Sequence, residues 1–480
     1  MTYVAFNKPA DKSRLSRDDT SLLMRLVNDQ TRQSKHIHVD NINAVLSLKH
    51  DLLTTMQQHR DSAQQFHDSS LRKIGEQLAV LAKSSTALEK SGRILESLYC
   101  EEVHTRELRV SDAVDCTFHW AFDSWCSGNL LDCGCRCTGS IDITSEHRCY
   151  HHVGSPKRPC NGFANHQKHL LKWLENNTSE PFIVTGKPGS GKSTFMKFIA
   201  SHERTRQALA GWAGDKKLLV ACFYFWSSGS PLQRSQEGLL RCLLYQILSQ
   251  APEMIPNAVP RRWQTAGDSS RTAEPWTRKE ISDAFSNIIN GNPLDVNICF
   301  FIDGLDEYGG SDLNIGESDL DLVSQLKKLA SSPHIKLCLS SRPRNVFQNH
   351  LVGDESHHIT LHNHTAKDIE QFVRLRIENV RQLININPPD LEELQSMIAK
   401  RSSGVFLWVV LVVRDLLDGL EPPFSMPEMK ERLLLLPVSL DDFFQRILNK
   451  VHQQYRRFAA RVLLASVRWY GLNLEVVYFL

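Results

Sequence analysis

The chain has no long apolar run. Its longest, Val405 to Val413, is well short of the roughly 20 residues that a membrane-spanning helix needs, so a buried helix and no membrane span are expected there. The first ten residues, Met1 to Ala10, have no apolar core, which predicts no secretory signal. The net charge is only +2 over 480 residues. No stretch is dense in lysine and arginine, so nothing points to a nucleic-acid partner. No segment recurs with a period of about 20 to 50 residues, which argues against a repeat array. The twelve cysteines come without a secretory signal, so they are expected as reduced thiols in the cytoplasm.

What is present is sharper. Gly186-Lys187-Pro188-Gly189-Ser190-Gly191-Lys192-Ser193-Thr194 fits the phosphate-binding pattern G-x-x-x-x-G-K-[ST]. An apolar, β-branched run, Phe182-Ile183-Val184-Thr185, precedes it, and a helix-like stretch, Phe195 to Ala200, follows. The pattern needs this strand, turn and helix. Glycines let successive N–H groups turn inward around phosphate oxygens, and the helix start adds partial positive charge. Gly186, Gly189, Ser190, Gly191 and Thr194 would form the cradle. Lys192 would reach the β- and γ-phosphates, and the Ser193 hydroxyl would ligate Mg²⁺.

Three more apolar runs read as buried parallel strands: Leu218 to Trp226, Ile298 to Ile302 and Ile335 to Leu339, with a shorter one at His358 to Leu361. The run from Ile298 delivers Asp303, then Gly304-Leu305-Asp306-Glu307. A carboxylate at the end of a strand is placed to hold Mg²⁺ beside a phosphate loop. Asp306 or Glu307 could orient or deprotonate the attacking water. Arg342, after Ser340-Ser341, could sense a γ-phosphate, because guanidinium forks match phosphate oxygens. The sequence thus predicts an α/β fold, a parallel sheet with helices on both faces.

Around this core the chain is heterogeneous, and its length suggests about three domains. Residues 1 to 37 read as a loose polar arm. Residues 38 to 110 read as an all-α region, with no proline between Pro9 and Pro156. Leu71, Ile74, Leu78 and Leu81 keep an a/d pattern that Ser85 and Gly92 interrupt. Packed helices are favoured, with a dimerising coiled coil as the alternative. Residues 112 to 122 read as a short amphipathic helix. Between Cys126 and Cys160 lie six cysteines with His147, His151 and His152. They could hold zinc, but Cys133-x-Cys135-x-Cys137 lacks the usual knuckle spacing, and a loop of free thiols is favoured. Residues 251 to 276, rich in proline and polar groups, read as a surface loop. Thr365 with Asp368 reads as a helix cap with an acidic third residue. The final segment stops within apolar Glu475 to Leu480 and is expected to be an incomplete module.

Taken together, these residues resemble fungal NACHT proteins of the nephrocystin-like type, within the STAND class of P-loop NTPases. The resemblance rests on Gly186 to Thr194, Ala221 to Gly229, Asp303 to Glu307, Ser341-Arg342-Pro343 and Gly404 to Val409, and Ile94 to Leu98 and Thr117 to Trp120 look like the approach to such a domain. It implies a linker with the cysteine-rich insert over 111–165, an NTPase domain over 166–345, a helical lid over 346–430 and a partial winged-helix module over 431–480. It also implies ATP or ADP with Mg²⁺ as ligand, slow hydrolysis as a timer and self-association in the ATP state. The setting it implies is fungal nonself recognition or programmed cell death. The family's C-terminal sensing array is not visible here.

Two readings from other classes compete. One is a turnover ATPase or small-molecule kinase, which fast hydrolysis or a phosphoryl acceptor would reveal. The other is a non-catalytic scaffold, which self-association without nucleotide would reveal. A GTPase is disfavoured, because no N-K-x-D motif is present.

Overall fold

The computed structural model of the chain describes residues 85–114, 117–122, 167–266, 274–290, 296–309, 318–378, 388–418 and 426–468. The readings placed on the N-terminal arm, most of the 38–110 region, the cysteine-rich insert and the last twelve residues lie outside the described residues. The chain divides into two compact units, Met1–Ala87 and Leu88–Leu480. The architecture that follows is that of the second.

Five strands pair in parallel: β1 (Phe182–Thr185), β2 (Lys217–Tyr224), β3 (Val296–Asp303), β4 (Ile335–Ser341) and β5 (His358–Thr360). Their order is β2-β3-β4-β1-β5. Every residue of β1, β3 and β4 is buried, which is why these stretches read as largely apolar runs, broken in β4 by Lys336, instead of alternating ones. Side chains still alternate between the two faces. Ile298, Phe300 and Ile302 join one core with Leu337 and Leu339, while Cys299 and Phe301 join the other with Phe182 and Val184.

The first core is covered by helices from distant parts of the sequence. Residues 88–98 (α1) and Glu101–Arg109 (α2) form a helical hairpin that contributes Ile94, Leu98 and Val103. With them pack Gln236–Gln250, Ile255–Ala258, Arg278–Asn290 and Asp319–Ala330. The hairpin is also tied by polar groups: Arg241 donates to the carbonyls of Ser97 (2.8 Å) and Leu98 (3.0 Å). The second core is covered by α3 (Gln167–Glu175), α4 (Lys192–Ser201) and α5 (Glu203–Ala213). A third core, with no strand, is built by five helices: Ala366–Glu378, Pro388–Ser402, Phe406–Asp418, Met426–Leu435 and Leu440–Asn449.

One cation sits inside the second core. Lys336, in the middle of β4, is buried, and its ammonium donates to the carbonyls of Trp173 (2.5 Å) and Asn176 (2.6 Å) at the end of α3. The indoles of Trp173 and Trp212 lie 4.8 and 4.9 Å from it. The lysine therefore caps helix carbonyls that would otherwise be orphaned, and cation–π attraction offsets part of its burial. Burial lowers its pKa to about 8. Among the described residues, Cys100, Cys222, Cys242, Cys299 and Cys338 are free thiols, and no helix is long and apolar enough to cross a membrane.

Three local expectations fail, each for a physical reason. Residues 251–276 do not form a loop throughout. Pro252, Pro256 and Pro260 each sit in the first turn of a short helix, where a missing N–H costs nothing, and Ala251, Met254, Ile255, Ala258 and Val259 are buried. The described residues of 112–122 form no amphipathic helix. Residues 111–114 are irregular, Phe118 has φ 65°, and only His119–Ala121 makes a 3₁₀ turn. Thr365 does stand directly before the helix Ala366–Glu378 with Asp368 in its first turn, but their side chains do not pair with each other. The Thr365 hydroxyl donates to the Gly404 carbonyl (3.3 Å), and the Asp368 carboxyl accepts from the Phe118 N–H (3.1 Å) and Trp120 Nε1 (2.8 Å). The last two failures share one cause: long-range hydrogen bonds join the 117–121 segment to the first helix of the third core.

That junction carries a pH dependence. Burial pushes the Asp368 pKa up to about 7, against the lowering effect of its bonds to Trp120 and Phe118. In the unfolded chain the proton leaves near the ordinary value of about 4. Between those values the folded chain binds more protons than the unfolded one, so this group's contribution to stability falls as pH rises from about 4 to about 7. Asp368→Asn removes the slope. The melting temperature of the parent should decline over that range relative to the variant, and parallel curves would refute the assignment.

Candidate functional site

Because all five strands run the same way, their C-terminal ends open on one edge. β1 ends in the phosphate loop, β3 in Asp303 and β4 just before Arg342. Ligands in open α/β sheets bind at this edge. A cavity of about 570 Å³ lies here. Its lining combines polar residues, Lys192, Ser193, Thr194, Asp303, Asp306, Glu307 and Arg342 with the loop glycines Gly189 and Gly191, and apolar ones, Val114, Phe118, Phe406, Leu407 and Val410. The residues singled out in the sequence thus converge on one place; Gly186 and Ser190 belong to the same loop without lining the cavity.

The loop has the backbone that the pattern requires. Gly189 and Gly191 have φ of 70° and 89°, values that L side chains rarely adopt. A Cβ at Gly189 would also meet the Leu407 side chain at 2.8 Å. The loop is bonded to the helical layer above it: the Leu407 N–H donates to the Gly189 carbonyl (3.0 Å), and Lys187 donates to the Ser403 carbonyl (3.2 Å). The Lys192 ammonium folds back onto the carbonyls of Gly186 (2.8 Å) and Lys187 (3.1 Å), and burial lowers its pKa. The Ser190 hydroxyl is buried with no hydrogen-bond partner.

Asp303 is the buried centre of the acidic side. Its carboxyl accepts from Ser340, and burial raises its pKa against the lowering effect of the Ser193 and Ser340 hydroxyls. The same Ser340 hydroxyl accepts from the Gly304 N–H (3.0 Å). Asp306 is spoken for differently: its oxygens take the Arg342 N–H (2.8 Å) and the Arg342 guanidinium (2.9 Å). Glu307 accepts from the Ser227 N–H (2.9 Å), just after β2.

The donor set fits a nucleotide with a divalent cation. Positive-φ glycines, an orphaned buried hydroxyl and a lysine turned onto its own loop are what a phosphate cradle supplies. Ser193 and Asp303, already in contact, offer hard oxygen ligands. The cysteines weighed as zinc ligands lie outside the described residues, and no cluster of three or more metal-binding side chains occurs among the described ones.

Several site residues carried no sequence signal. Ser340 looked like a strand end, yet it holds Asp303 in place. Arg106 of α2 and Arg376 of the first third-core helix also line the cavity. Neither belongs to a motif, and only the packing of distant helices brings them here.

The Arg342–Asp306 pair can be tested for coupling. Arg342→Ala leaves a nearly buried carboxylate with only a backbone donor and should cost about 1–3 kcal/mol in denaturant unfolding. Adding Asp306→Asn should recover part of that loss. Strictly additive losses would show that the pair is not coupled.

Residues 160–342 match the family model described as "Nephrocystin 3, N-terminal". No curated protein matches the chain. One solved structure, titled "Structure of C. elegans PCH-2", is similar over 52% of this chain and 58% of that one, at 10% identity and a TM-score of 0.28. A likeness that faint supports no conclusion.

Proposed function

We propose that the chain is a nucleotide-dependent switch of the NACHT type. It binds ATP or ADP with Mg²⁺ between sheet and helical layer, hydrolyses slowly and changes state with the terminal phosphate. The observation that carries this reading is the direct bonding of the phosphate loop to the third core, through Gly189 with Leu407 and Lys187 with Ser403. A loop that adjusts to its phosphates must then shift the helices above it, and a switch requires that one nucleotide favour one arrangement over the other.

The roles follow the geometry. Lys192 exchanges its loop carbonyls for phosphate oxygens. Ser193 and Asp303 hold the cation, which when bound neutralises charge on the phosphate oxygens. Glu307 is better placed than Asp306 to orient water, because both Asp306 oxygens are already engaged by Arg342. Arg342 holds Asp306 through Nε and its backbone N–H, which leaves its terminal nitrogens to meet a γ-phosphate. The third-core helices up to about residue 430 act as a lid, and the chain from residue 431, with the helix Leu440–Asn449, belongs to a winged-helix module. The resemblance supplies the adenine base, the cytoplasmic location, self-association in the ATP state and the setting of fungal nonself recognition or cell death.

One observation favours the scaffold reading as well. Leu434, Leu435, Val438, Phe444, Ile447 and Leu448, near the end of the described chain, are exposed, and clustered apolar exposure marks interaction surfaces.

The deciding experiment compares the purified chain with Lys192→Ala. Bound nucleotide is released by denaturation and identified by chromatography, and ATP turnover is followed on the same samples. ADP held by the parent but not the variant, with turnover below about one per minute, is the expected result; that is far under common enzyme rates. Fast turnover would favour an ATPase or kinase. No nucleotide in either sample, with self-association retained, would favour the scaffold.

A further inference from the structure

The cavity has an arginine that neither the phosphate loop nor the acidic strand accounts for. Arg106 comes from α2, in the hairpin ahead of the linker, and lines the same space as Lys192, Asp303, Glu307 and Arg342. The geometry points to Arg106 as a contact for the terminal phosphate, supplied by the same chain from outside the NTPase motifs. This assignment rests on the nucleotide reading above.

Four observations carry it. First, the Arg106 guanidinium lies over the indole of Trp226, 5.4 Å from the ring centre. Stacking fixes the plane of the fork and leaves its edge free to donate. Second, Arg106 Nε is buried with no hydrogen-bond partner. An unmet buried donor carries a cost that an anion would remove. Arg342, by contrast, is already engaged by Asp306.

Third, the position is at the acidic end of the cavity. Trp226 follows β2, whose last residue, Tyr224, lies in register with Asp303. Ser227, the next residue after Trp226, holds Glu307. Arg106 thus lies on the side of the cavity that holds Asp303 and Glu307, where the cation and the terminal phosphate would sit. Fourth, α2 is held rigidly. Gln233 donates to the Glu102 carbonyl and to the Thr105 hydroxyl (3.0 Å), Val103 is in the sheet core, and Lys197 donates to the Val110 carbonyl (2.8 Å). A donor positioned before binding loses little entropy on contact.

Arg109 provides an internal control. Its guanidinium lies over the same indole, at 5.0 Å, but it does not line the cavity. If Arg106 only fastens α2 to Trp226, the two arginines are equivalent. If it reads the terminal phosphate, they are not.

The test measures binding of ADP and of a non-hydrolysable ATP analogue, each with Mg²⁺, to the full chain by calorimetry. The parent is compared with Arg106→Ala, Arg106→Lys and Arg109→Ala, and the melting temperature of each nucleotide-free protein is recorded. Arg106→Ala should weaken the triphosphate analogue roughly 10- to 100-fold and ADP less than about threefold. Arg109→Ala should change neither, and Arg106→Lys, which keeps the charge but not the fork, should fall between. Equal losses for both nucleotides, or no loss, overturn the assignment. If Arg106→Ala melts well below the parent, the ratio of the two affinities in Arg106→Lys decides instead. A parent that binds neither nucleotide overturns the switch reading itself, a result distinct from a parent that binds both while Arg106→Ala loses nothing.

Discussion

A carboxyl group at the end of a fully buried strand has to be satisfied by its neighbours, and Asp303 imposes that requirement on everything around it. Isolated in an apolar interior, such a group costs several kcal/mol. Ser340 meets it from β4, which is why β4 must pair beside β3, and Ser193 meets it from the start of α4, which is why the phosphate loop must close over the same edge. The three chain segments with the clearest chemistry are thus brought together by one polar group. The apolar cores on either face of the sheet supply the bulk of the burial, but they do not by themselves specify which loop ends beside which strand.

The second constraint is how the cavity is closed. The sheet provides only its floor. One wall comes from residues 117–121, held to the third core by the two bonds to Asp368, and the roof from the residues around Leu407. Trp120 stacks on Phe195 of α4 at 5.5 Å and on His364 at 5.0 Å, so the same aromatic ring touches sheet layer and helical layer. The α1–α2 hairpin adds a further side. A segment that precedes the sheet in the sequence is therefore part of the sheet's own packing.

These facts explain what could be read in the sequence and what could not. The strands were legible because burial on both faces leaves a largely apolar run, and the phosphate loop because its backbone demands glycine at fixed spacing. Asp303 and Arg342 were legible because one ends such a strand and the other follows one. The 117–121 segment was not, because its conformation is set by Asp368, some 250 residues away. The helices at Pro252, Pro256 and Pro260 were hidden by prolines that read as loop markers yet are tolerated in a first turn. Arg106 carried no signal, since nothing in a charged amphipathic helix says which of its arginines will reach a distant cavity.

Lys336 has a further consequence. Its lowered pKa leaves more of the amine uncharged near neutral pH than an exposed lysine has, yet it is enclosed by two indoles and the carbonyls at the end of α3. Reactivity and access are therefore opposed at one atom. No acylating reagent or modifying enzyme can reach that amine while β4 and α3 stay joined. Covalent labelling at Lys336 becomes a record of how often the centre of the sheet opens, written into the chain at the position least able to report anything else.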